Sequence, residues 1–234
     1  MLRQYMTRSA LILGLFALVG GGLVAWTYQL TKPHIEEAER AYTLRSLHAV
    51  IDPSLHDNDI FRDMITVRDP ALLGTDKPVP VFRARRNGKP VAVAIMSEAP
   101  DGYGGPIKLL VGIHVDGTIA GVRVLSHKET PGLGDKIEER RSDWILGFNG
   151  HSLRNPEQKG WHVQRDGGMF DQFTGATITP RAVVKAVYNT LKYYQRHKER
   201  LFAEKSIVPP ADSDDKDGKK EASSDNGKNG KHGG

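Results

Sequence analysis

Between Arg8 and Lys32 the chain carries no charged side chain, and from Ala10 to Trp26 every residue is apolar or glycine. A helix rises about 1.5 Å per residue, so such a run can cross a hydrocarbon core of roughly 30 Å. It has no polar stripe to turn toward water, which argues against a half-buried helix of a soluble fold. Arg3 and Arg8 precede it, so the excess of cytoplasmic positive charge predicts a cytoplasmic N-terminus with the rest of the chain across the membrane. In a bacterium that is the inner membrane with the bulk of the protein in the periplasm. Trp26 and Tyr28 fall where an interfacial aromatic belt would lie. A cleaved signal peptide shares the basic start, but "VAWTYQL" offers no small-residue cleavage site, and an uncleaved anchor is expected. A second run of spanning length is missing, which predicts a single pass.

Composition narrows the chemistry. The chain has 234 residues and no cysteine, which excludes disulfides, thiolate-held zinc or iron–sulfur clusters, thioether haem and cysteinyl flavin. Any redox group must be held another way. The net charge of +5 comes from basic residues interleaved with acids, as in "KIEERR" (136–141), so no nucleic-acid stripe is present. The nine histidines show no i, i+3 or i, i+4 pairing, and neither a metal site nor catalytic residues are predicted.

Beyond the anchor, "PHIEEAERAYTLRSLHAVI" (33–51) spaces its apolar residues as an amphipathic helix does, with acids in its first turn. From Val79 onward the pattern is that of strands. Asn87-Gly88 and Asp116-Gly117 each sit between β-rich runs, which predicts two hairpins and an antiparallel sheet. "GWHVQRDGGMF" (160–170) suggests a further short strand. Thr179 is expected to cap a helix beginning at Pro180 and running to about Phe202, with Val183, Val184, Val187, Leu191 and Tyr194 on its buried face. This order of elements predicts an α+β fold. The expected division is an anchor at 1–32, a membrane-proximal helical region at 33–78, a globular domain at 79–208, and a disordered tail at 209–234 too polar to repay its ordering entropy.

Three loops can carry chemistry. "APDGYGGPIK" (99–108) surrounds Tyr103 with Gly102, Gly104 and Gly105. "SHKETPGLGDKI" (126–137) offers Glu129 and Thr130 beside Gly132 and Gly134, glycines that would let a ligand approach the backbone. "FDQFTGATITP" (170–180) sets small residues before a helix start, where backbone N–H groups and the positive dipole end suit a phosphate. Such a loop places Thr174 or Thr177 near a phosphate-bearing ligand, and its physics alone leaves open whether the contact is binding or a covalent bond.

Together these loops resemble a known family. "DQFTGATIT" is similar to the flavinylation motif Asp-x-x-(Ser/Thr)-Gly-Ala-Thr of FMN-binding domains, "HKETPGLGDKI" to their second signature and "GYGGPIKLLVGI" to a third. With the N-terminal anchor, the resemblance spans roughly residues 1 to 205 and is closest to the G subunits of Rnf (Rsx) ion-translocating electron transport complexes. It implies FMN joined by a phosphoester to Thr177, attached by a flavin transferase that uses FAD as donor. Asp171, Thr174, Gly175 and Ala176 are implied as motif residues. Tyr103, Gly104, Glu129, Thr130, Leu133, Thr174, Gly175 and Ala176 are implied as neighbours of the flavin or its phosphate. The implied function is electron carriage between subunits of a membrane complex linking ferredoxin and NAD to ion movement, without stand-alone turnover. The C subunit of the sodium-translocating NADH:quinone reductase shares the flavinylation signature, and a membrane-anchored sensor or assembly module is the alternative of another class.

Overall fold

The computed structural model describes residues 2–207. The tail expected at 209–234 lies outside the described residues. The apolar run and the amphipathic stretch after it form one helix, α1 (Leu2–Val50), continuous through Pro33. The fixed φ of proline is itself helical, so within a long helix the ring costs a hydrogen bond and some bending rather than the helix. Leu13–Lys32 is long and apolar enough to span a membrane, and none of it is buried against the rest of the chain.

The last turns of α1 behave differently. Leu47, Val50 and Ile51 are buried with Ile60, Phe82, Ala84, Ala92, Ala94 and Leu110, forming a core layer on one face of a sheet. Each fully buried Leu, Val or Ile contributes roughly 1.5–3 kcal/mol by leaving water. Close packing here depends on two glycines paired across neighbouring strands, Gly112 and Gly121. A Cβ at Gly112 would lie 2.5 Å from the carbonyl oxygen of Val50, and one at Gly121 would lie 3.0 Å from its Cα.

The sheet has five antiparallel strands in sequential order: β1 (Met64–Val67), β2 (Val79–Arg86), β3 (Lys89–Ala99), β4 (Ile107–His114) and β5 (Ile119–Ser126). Both expected hairpins form. Asn87 and Gly88 take positive φ at the β2–β3 turn, and Gly117 does so at the β4–β5 turn. The edge strand β1 comes from within the segment 33–78, which was expected to be helical. It is only four residues long, too short for alternation to stand out. The strand suggested at 160–170 does not form. That segment closes into short 3-10 turns and an isolated parallel bridge between Val163 and Phe170. Its glycines at 167 and 168 favour turning over extension: Gly167 has φ of 82°.

A short helix α2 (Pro70–Leu73) follows β1, with the Asp69 side chain accepting from the Leu72 N–H. The long helix α3 (Ile178–Ala203) covers the second face of the sheet. Its Val183, Val184, Val187 and Leu191 join Val93, Ile95, Leu109, Val111 and Ile113 in the main core. The architecture is α+β, as the order of elements predicts.

Candidate functional site

Antiparallel pairing places the end of β3, the start of β4 and the end of β5 at one end of the sheet, since Lys108 is paired with both Glu98 and Ser126. The β3–β4 loop and the loop after β5 therefore leave from the same edge. The N-terminus of α3 arrives beside them, tied on by Lys185 to Asp101 at 2.6 Å. All three loops singled out in the sequence meet here, around a cavity of about 330 Å3 lined by Tyr103, Glu129, Thr130, Leu133 and Gly134 from two loops and by residues 175–179 from the third.

The third loop is seated by aromatic rings. Phe173 packs edge-on against Trp144, and Phe170 stacks on Phe148 with centroids 4.6 Å apart. Trp144 Nε1 donates to the Asp171 carbonyl at 2.8 Å. The chain then turns through Gly175 at φ 81°, with the Ala176 N–H donating to the Phe173 carbonyl at 3.1 Å. This turn delivers Thr177 to the mouth of α3. Phe170, Phe173 and Trp144 were not among the expected site residues, because their work is to hold the loop rather than to face a ligand.

Thr177, not Thr179, is the cap position. It adopts helical dihedrals, and its side chain makes no capping hydrogen bond. The helix starts two residues earlier than expected, and Pro180 becomes its third residue. Proline is tolerated there because the first N–H groups of a helix have no intrahelical partner anyway. Thr179 is buried, at 1% exposure, and its hydroxyl donates to Glu129 Oε2. Oε1 of the same carboxylate accepts the Gly104 N–H at 2.9 Å. Glu129 thus joins all three loops.

The glycines around it serve this closeness. A Cβ at Gly134 would lie 2.8 Å from the Thr179 hydroxyl and 2.9 Å from Glu129 Oε2, and one at Gly104 would strike the Lys128 carbonyl at 1.9 Å. Gly134 lines the cavity, and its missing side chain also makes room for the Glu129–Thr179 contact. Behind this loop the Glu129 N–H donates to His127 Nδ1 at 3.0 Å, so the ring proton sits on Nε2 and faces Glu138 Oε1 at 2.7 Å. Hydrogen bonds from Arg140, and then from His127, hold the Glu138 carboxyl down at about 2.

Of the expected flavin neighbours, Tyr103, Glu129, Thr130, Leu133, Gly175 and Ala176 line the cavity, as does Thr177. Gly104 lies behind Glu129, while Thr174 and Asp171 are exposed and outside the lining. The Asp171 side chain accepts from Gln164 Nε2 at 2.6 Å instead. Gly134, Ile178 and Thr179 also line the cavity. Among the described residues no cluster suited to a metal ion is found.

The residues present fit FMN. The cavity lies in the ~300–1,000 Å3 range of small-molecule sites. Leu133, Ile178 and Ala176 offer apolar surface to a ring system, and Tyr103, 70% exposed, offers an aromatic face at the rim. The first turn of α3 supplies N–H groups and the positive dipole end for a phosphate.

Comparison with known proteins agrees with this geometry. Residues 102–192 match the FMN-binding domain family, and residues 1–50 match the RnfG N-terminal region. The chain is 49% identical over 202 residues to the G subunit of the ion-translocating oxidoreductase complex of Shewanella piezotolerans, covering 86% of this chain and 95% of that protein. It is 51% identical over 201 residues to that of Pseudomonas aeruginosa strain UCBPP-PA14, covering 86% and 94%. Identity to that of Vibrio cholerae strain O395 is 52% over 194 residues, covering 83% and 92%. With about half its residues shared over nearly the whole length of these proteins, and both characteristic regions matched, the chain belongs to the family of G subunits of ion-translocating oxidoreductase complexes and carries that family's FMN-binding domain.

Proposed function

We propose that this protein is a membrane-anchored electron carrier of an ion-translocating oxidoreductase complex, with FMN held as a phosphoester on Thr177. The observation that carries the covalent reading is the state of the Thr177 hydroxyl. It stands at the N-terminus of α3, beside the cavity, and caps nothing. A threonine in that position usually caps the helix, so a hydroxyl without that bond is available for another. Attachment would form the Thr177 oxygen–phosphorus bond and break the pyrophosphate bond of FAD, with AMP leaving and the hydroxyl proton released, on a flavin transferase. FMN supplies the capacity to accept and donate electrons. The chain's own residues would hold its phosphate at the helix start and offer Leu133 and Ile178 as apolar surface to its ring, and the bond to Thr177 would keep it from being lost outside the cytoplasm. Electron transfer calls for distance and potential rather than acid–base groups, so no catalytic residue is assigned and no turnover is expected of this protein on its own.

Arg3 and Arg8 support an N-terminus in the cytoplasm, a single pass through the inner membrane along Leu13–Lys32, and a periplasmic FMN-binding domain. The remaining subunits of the complex are its partners, and ferredoxin- and NAD-linked flow is the proposed setting. The match of residues 1–50 to the RnfG N-terminal region favours this complex over a sodium-translocating NADH:quinone reductase and over a sensor.

Mass spectrometry of the full chain, made with and without a flavin transferase, tests the bond. The tryptic fragment ending at Arg181 should gain one FMN less one water only when the transferase is present. An unmodified fragment in protein that transfers electrons would overturn the covalent reading.

A further inference from the structure

We infer that Glu129 sets the reduction potential of the FMN in this cavity by holding an uncompensated negative charge beside it. The inference rests on the FMN reading above and deepens it. Glu129 lines the cavity and is only 5% exposed. Its two oxygens accept from the Gly104 N–H and the Thr179 hydroxyl, both neutral donors. An ionised carboxylate is acceptor-only, which matches a group whose two oxygens each receive a donor.

Four neighbouring acids on this end of the molecule are matched by a cation: Asp101 by Lys185, Asp135 by Arg141, Glu138 by Arg140 and Asp166 by Arg181. Among the described residues no ion pair reaches Glu129. The positive end of α3 makes the buried charge tolerable, but it is a partial charge and leaves net negative potential in the cavity.

Space around the carboxylate is closed by the same glycines that admit it. A Cβ at Gly102 would sit 3.0 Å from Oε1, and one at Gly134 would sit 2.9 Å from Oε2. Little room is left for screening water, and a charge acts more strongly where water is excluded. Such a charge opposes the arrival of further negative charge next to it, so it lowers the potential of a flavin in the cavity. The two donors draw part of that charge away. Removing the charge and removing a donor should therefore have opposite effects, which a purely structural role of Glu129 would not produce.

The test is a redox titration of the flavin-loaded full chain in detergent, comparing wild type with Glu129→Gln and Thr179→Val. Glu129→Gln should raise the midpoint potential and Thr179→Val should lower it. If Glu129→Gln holds flavin at the wild-type potential, or if both variants shift the same way, the inference is overturned. Should Glu129→Gln fail to fold or load, Thr179→Val decides alone: a lowered potential supports the inference, and an unchanged or raised one overturns it. A wild-type chain without flavin would instead bring down the parent reading, so the two failures are distinguishable.

Discussion

At its C-terminal end α3 presents the carbonyls of Leu201, Phe202 and Glu204 to two arginines. Arg83 Nη1 donates to Leu201 at 3.1 Å and to Glu204 at 2.5 Å, and Arg85 Nη2 donates to Phe202 at 2.9 Å. Asp63 holds both guanidinium groups, accepting from Arg83 Nε and Arg85 Nε at 2.7 Å each. The N-terminal end has no such closure. Its cap residue makes no side-chain capping bond, and its first residues, Ile178 and Thr179, line a cavity. One helix thus has a sealed end and an open end. The sealed end fixes α3 against β2 and the loop before β1, so the open end is presented in one orientation. Helix termini that fold alone must satisfy are capped by side chains, and a terminus left uncapped beside a cavity is available to a ligand.

The sharpest way to break this contrast is at the open end. Thr177→Ala should abolish covalent flavin altogether, read as loss of flavin fluorescence on a denaturing gel, while leaving the melting temperature of flavin-free protein close to wild type because no cap is lost. At the sealed end, Asp63→Ala leaves Arg83, 1% exposed, without its carboxylate. Breaking such a pair from one side costs about 3–5 kcal/mol, measurable by urea denaturation of the full chain in detergent. Unchanged stability would show that the end is not sealed by this network.

A smaller effect is expected of Thr179→Ala, which strips a buried hydroxyl from Glu129. It should cost about 1–3 kcal/mol by leaving a carboxylate oxygen unsatisfied, with Thr179→Ser recovering most of the loss. The smallest is an acid effect behind the open end. Glu138 sits at about 2 instead of 4.5, chiefly because Arg140 donates to it. A depressed carboxyl contributes stability above its unfolded value and loses it as pH falls, here between about 4.5 and 2. Glu138→Gln should flatten that part of the acid-unfolding curve by lowering stability at neutral pH, with the two proteins converging near pH 2.

Much of the sheet was legible because local chemistry specifies it. Asn87-Gly88 and Asp116-Gly117 turn the chain back on itself between β-rich runs, which pairs β2 with β3 and β4 with β5. The short strand β1 was not legible, since four residues owe their extended form to pairing with β2. In the site, the three glycine-bearing loops could be picked out by composition, and they do converge. The roles within them could not. Thr179 has every local attribute of a helix cap, yet Glu129, fifty residues away in sequence, takes its hydroxyl inward. Nothing local marks Phe170 and Phe173 as the residues that seat the third loop, because that role depends on Phe148 and Trp144 packed against them.

The sequence by itself determined the membrane run, the two hairpins, the absence of thiol chemistry and the motif that relates this chain to FMN-binding domains. Each of these depends on residues close together in the chain, or on composition, and needs no partner from elsewhere. Only the tertiary structure decided that α1 ends on a seat made by Gly112 and Gly121, and that Glu129 is a buried bridge between loops. It likewise decided that the helix start belongs to Thr177. These outcomes follow from contacts across long separations, where the fit of one surface against another overrides local preference.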